Sequence, residues 1–144
     1  MKRRWILHPI LFALYPAAAL LASNLGQVSE AMAVRAVIVS VIGAMALTGV
    51  MRWLVGDWGK AGLVASGILV VFFSYGHVYG LVKSLSVAGV IVGRHRYLVP
   101  LAIGLIALWS YGVLRRAGED RTLESFFNAA SLVVLIFPVY SILA

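Results

Sequence analysis

The sequence predicts an all-α, polytopic membrane protein with about five transmembrane helices. Three observations carry that expectation. Of 144 residues, 62% are hydrophobic and only 12% are charged, and the mean hydropathy is +1.00; soluble domains run nearer 45–50% apolar and about 25% charged. The apolar residues fall into runs about as long as the ~20 residues that a spanning helix needs. The charged residues gather in the short stretches between those runs. Five spans would consume most of the chain, so a single transmembrane domain over 1–144 is expected.

The first span is placed at about 8–27. Met1 to Trp5 reads MKRRW, a basic start followed by an apolar run, which is how a signal peptide begins. Pro16 within that run, and the further spans behind it, favour an uncleaved helix kinked where the proline removes a backbone bond. Asn24, Gln27 and Glu30 form its polar exit. The second span is placed at about 32–55, with Arg35 and Arg52 set to snorkel at its two ends. Gly56 to Lys60, GDWGK, reads as a tight turn.

The third span, about 61–83, is the stretch around which the rest is organised. At 3.6 residues per turn Ser66, Val70, Phe73, Ser74, His77, Gly80, Leu81 and Ser84 share one face, and Ile68, Phe72, Tyr75, Tyr79 and Val82 lie opposite. Most of the first face is small or polar, and the second is bulky and aromatic. The expectation is therefore that the His77 side packs into protein and the tyrosine side turns toward lipid or the membrane interface. Gly76 and Gly80 make a small-xxx-small pair suited to close helix packing.

The apolar core of the next segment, about 85–93, is too short to span and suits an interfacial or re-entrant piece, loosened by Gly89 and Gly93. The fourth span is placed at about 98–114, with Pro100 tolerated in its first turn, and the fifth at about 123–143, carrying Asn128 early and Pro138 late. No internal repeat is evident.

Lysine and arginine set the orientation. A cytoplasmic N-terminus puts Lys2, Arg3, Arg4, Arg52, Lys60, Arg115, Arg116 and Arg121 on the inner side, and Arg35, Lys83, Arg94 and Arg96 on the outer. That asymmetry favours N-inside and C-outside. Trp5, Trp53, Trp58 and Trp109 fall toward the inner face as one aromatic belt. The net charge of +7 belongs to this topology rather than to nucleic-acid binding. Cysteine is absent, which excludes disulfides, thiolate metal sites and a cysteine nucleophile.

Residues able to carry chemistry concentrate near the outer ends of the spans. His77 is an ionisable group inside a span, a functional candidate by default, with Asn24 and Glu30 as partners at the same level; the alternative is that it only fixes packing. Tyr75 and Tyr79 suit an interfacial belt. Arg94, His95 and Arg96 stand on the side where cations are scarce, and two guanidiniums there can grip an anionic head group or partner, or else snorkel. No catalytic or metal site is read: the five acidic residues are scattered, no hydrolase or phosphate-loop motif occurs, and no cofactor is expected.

Three pieces, HPILFALYP (His8 to Pro16), FFSYGHVY (Phe72 to Tyr79) and GRHRYLVP (Gly93 to Pro100), resemble in order and spacing the N-terminal membrane region of bacterial sulfatase-like hydrolases and transferases of the alkaline phosphatase superfamily. The resemblance spans about 8–140. It implies a multi-pass anchor in the bacterial inner membrane, followed in that family by an extracytoplasmic, metal-assisted catalytic domain acting on sulfate or phosphate esters. None of that domain's residues occurs here. The expectation is thus a membrane anchor or scaffold, non-catalytic by itself, contacting lipids and either a protein partner or a catalytic domain beyond Ala144. An accessory subunit of a larger energy-converting membrane complex is the alternative, and a small transporter or proton path using His77 is a third.

Overall fold

The computed structural model describes residues 5–87, 90–116 and 121–143, with backbone alone for Glu30, Val87 and Val90. Among expected features, Lys2, Arg3, Arg4, Gly89, Glu119, Asp120 and the Glu30 side chain lie outside the described residues. The chain is an all-helical polytopic membrane protein. Five helices follow in order, α1 (His8–Ser23), α2 (Glu30–Val55), α3 (Trp58–Val82), α4 (His95–Arg115) and α5 (Arg121–Leu143), with a minimal antiparallel pair, β1 (Ser86–Val87) and β2 (Val90–Ile91), between α3 and α4. Helices α2 to α5 are each long and apolar enough to cross a membrane. At 1.5 Å per residue the 16-residue α1 measures about 24 Å, short of a ~30 Å hydrocarbon core. It ends at Ser23 rather than continuing to 27 and is helical through Pro16.

Helix boundaries follow from local chemistry. Gly56 adopts φ +80°, and its N–H donates to the Arg52 carbonyl to close α2; this left-handed geometry suits glycine. One residue on, the Asp57 carboxylate accepts the Lys60 N–H at 2.9 Å and caps α3. The GDWGK turn is thus a C-cap directly followed by an N-cap. Ser29 caps α2 in the same way, accepting the Met32 N–H at 3.4 Å. Within the segment expected to be interfacial or re-entrant, about 85–93, Ser86–Val87 and Val90–Ile91 pair antiparallel as β1 and β2. The segment's return leg passes so close over the end of α3 that a side chain at Gly93 would strike the Val82 carbonyl and Lys83 backbone.

Helix α3 is the hub and packs against all four others. Its buried part is the first half, Gly59 and Ala61 to Ser66 with Leu69, and not the His77 half. Small residues explain this asymmetry. Helices in a membrane gain little from solvent exclusion between them and associate through close packing. Gly59 gives way to the Glu124 carboxyl, Gly62 to Ile6 and His8, and Gly67 to the indole of Trp109, each occupying space that a Cβ would need. Two apolar clusters cross the hub: Ala13, Ala44 and Leu69, and Leu63, Val64 and Val113. Helices α2 and α4 remain largely exposed along their length, as suits surfaces facing lipid.

Candidate interaction sites at the two ends of helix α3

The starts of α1, α3 and α5 and the end of α4 meet at one end of the bundle. The deepest polar cluster lies there. Helix α1 opens with Leu7 as N-cap, a side chain unable to accept a hydrogen bond, so its first N–H groups need partners from elsewhere. Asn128 of α5 supplies them. Its Oδ1 accepts the N–H of Leu7 at 3.1 Å and of His8 at 2.9 Å, while its Nδ2 donates to the Trp5 carbonyl at 2.7 Å. The third residue of the helix entry, Pro9, has no N–H to satisfy.

His8 itself is fully buried. Its Nδ1 shares a 2.6 Å hydrogen bond with Ser66 Oγ of α3, and its ring meets Phe127 edge-on at 5.7 Å. Nε2 is buried without a partner and lies against Gly62. Phe127 gathers Phe12, Phe126 and Trp109 around the same point. The Trp109 indole N–H donates to the Leu63 carbonyl at 2.9 Å, over the gap left by Gly67. Trp109 is therefore a packed bundle residue, whereas Trp5, Trp53 and Trp58 are exposed at this end as a belt requires. Histidine and serine at hydrogen-bond distance are a nucleophile–base combination in chemical type. With both side chains at 0% exposure, this pair joins α1 to α3 and offers no access to a substrate.

At the opposite end, two of the quoted motifs meet. His95, the first residue of α4, is held by the last turns of α3: Tyr75 Oη lies 2.6 Å from its Nδ1, and the Tyr79 ring stacks on it at 4.4 Å. Both tyrosines are half-buried, turned toward α4 rather than outward to lipid. Arg94 and Arg96 flank this histidine and are exposed; Arg96 donates to Tyr97 Oη at 2.6 Å and covers its ring at 4.6 Å.

The inward role expected of His77 is not made. His77 is exposed, and its Nδ1 reaches only the Phe73 carbonyl of its own helix, at 3.4 Å. It lines an open cleft of about 630 Å³ between α1 and α3, with Ser23, Ser74 and Phe73. Asn24 does not join it: its amide donates to the Leu20 carbonyl at 2.8 Å and to Ser23 Oγ at 3.1 Å, closing α1. Gly76 and Gly80 have open space where a Cβ would sit, so among the described residues nothing packs closely on them. His8 was not among the residues that the sequence offered as able to carry chemistry. The signal that marks the buried cluster is three lone polar residues, His8, Ser66 and Asn128, each in an otherwise apolar run. Among the described residues no group of three metal-ligating side chains occurs.

Fold and polar clusters together define the class: a multi-pass helical membrane protein whose hub helix is locked at one end and carries a basic, histidine-centred rim at the other. No protein-family model, curated protein or solved structure matches the chain.

Proposed function

We propose that this chain is a membrane anchor and scaffold for an extracytoplasmic enzyme of the sulfatase or phosphotransferase type, in a bacterial inner membrane, with the His95 end facing outward. The observation that carries this reading is the Tyr75–His95–Tyr79 contact. It ties the ends of two motifs that resemble that family's membrane region into one rigid rim, and it presents Arg94 and Arg96 beside it. Guanidiniums on a fixed helix start suit carboxylates of a protein surface or an anionic head group. The excess of lysine and arginine at the His8 end supports a cytoplasmic location for that end. The His8–Ser66–Asn128 cluster stiffens the bundle beneath the rim and carries no chemistry of its own.

The test is isolation of the chain from its native membrane under mild detergent, with identification of everything covalently or stoichiometrically attached and assay of sulfate- and phosphate-ester hydrolysis. The reading expects an extracytoplasmic hydrolase domain in the isolate, on the same polypeptide or a partner, weakened by R94Q/R96Q where it is a partner. Stoichiometric redox subunits in place of a hydrolase would move the assignment to an accessory subunit of an energy-converting complex.

A further inference from the structure

Helix α1 packs on both α3 and α5, and toward the Val82 end of α3 these helices leave the cleft of about 630 Å³ that His77 lines. Its size falls within the 300–1,000 Å³ range of ligand pockets. Among the described residues no charged side chain lines it. Three polar groups on its wall can bond a guest. His77 Nδ1 lies 3.4 Å from the Phe73 carbonyl. A carbonyl only accepts, so Nδ1 carries the proton and the lone pair of the neutral ring sits on Nε2. Ser74, nearly one turn earlier on α3, and Tyr15 of α1 add hydroxyls, and among the described residues neither hydroxyl has a hydrogen-bond partner. Phe12, Tyr15 and Phe73 bring aromatic rings to the same wall.

We propose that this cleft binds an isoprenoid quinol, with one hydroquinone hydroxyl donating to His77 Nε2 and the ring lying among the aromatic side chains. Depth argues against a phosphate-bearing head group. His77 lies five residues before Val82, where α3 ends, and so about 7.5 Å below that end. A neutral head group that carries an O–H fits instead, because Nε2 offers a lone pair and no proton. Aromatic walls favour a flat ring through stacked and edge contacts. Phe12 and Val70 also line a second, mostly apolar cleft of about 600 Å³ beside α4, so an isoprenoid tail finds hydrocarbon-lined space along α3. A second copy of the chain is a poorer occupant: a helix ~10 Å across displaces about 850 Å³ over two turns, more than the cleft holds. The site does not depend on the anchor reading.

The experiment is anaerobic equilibrium binding of decylubiquinol and of decylubiquinone to the protein in nanodiscs, each measured against empty nanodiscs. Wild type is expected to bind the quinol about fivefold more tightly than the quinone, the effect of one hydrogen bond whose donor only the quinol carries. H77F keeps a ring and removes the acceptor at an exposed position, and should bring the two affinities together. A19F fills the cleft from α1 and should weaken binding of both, with wild-type helix content checked by circular dichroism for each variant. Equal affinities in wild type, a preference that survives H77F, or binding unaffected by A19F overturns the proposal. So does protein that holds no more of either probe than empty nanodiscs do, or that dimerises in their place.

Discussion

Asn128 Oδ1 accepts the backbone N–H of His8 at 2.9 Å across 120 residues of chain. Through it α5 performs for α1 the capping that Leu7 cannot perform for its own helix. The same histidine then reaches Ser66, so three helices converge on one buried residue.

Asn128→Ala should therefore destabilise the bundle by about 1–3 kcal/mol, the cost of leaving backbone donors without partners. Asn128→Asp keeps an acceptor and should recover part of the loss. Reversible unfolding in mixed micelles measures both. His77→Ala, in an exposed residue bonded only within its own turn, should stay within about 0.5 kcal/mol of wild type. An equal loss from His77→Ala would return that residue to the packing role expected of it.

The glycines of α3 should divide sharply by position. Gly67→Ala pushes against the Trp109 indole and should cost about 1–3 kcal/mol, as overpacking does, with a shift in tryptophan emission as the bond to the Leu63 carbonyl is lost. Gly76→Ala and Gly80→Ala enter open space and should be neutral, or stabilising by up to about 1 kcal/mol through helix propensity. Destabilisation at Gly76 or Gly80 would mean that another molecule packs on that face.

Most of the architecture was legible in the sequence because apolar run length and loop charge are local properties. The turn at Gly56 and Asp57 was readable for the same reason. The polar pairing was not. A helical wheel divides α3 into faces but cannot tell which half of the helix lies inside the bundle. That depends on Gly59, Gly62 and Gly67 receiving Glu124, His8 and Trp109 from other helices. His77 and His95 show the consequence: both are exposed, but the one on the more polar helical face bonds only within its own turn, and the one in a basic run is clasped by Tyr75 and Tyr79.

That clasp should be measurable. Tyr75→Phe removes the hydrogen bond and keeps the ring, so a loss of roughly 0.5–1.5 kcal/mol is expected. In a double-mutant cycle with His95→Phe, the two substitutions should be clearly less than additive. Additive losses would show that the contact holds nothing.

Orientation is open to a clean assay, because the chain has no cysteine of its own. Single cysteines at Ser84 and Arg121, at opposite ends of the bundle, should react differently with a membrane-impermeant maleimide in intact cells. Labelling is expected at 84 and not at 121. The reverse pattern would invert the topology drawn from lysine and arginine.

The most direct test of the anchor account places a photo-crosslinking amino acid at Arg96, on the rim that His95 organises, and irradiates native membranes. The account predicts crosslinks from position 96 to an extracytoplasmic hydrolase domain, within the same polypeptide or on a partner. Crosslinks confined to lipid, or to subunits with no such domain, would contradict it.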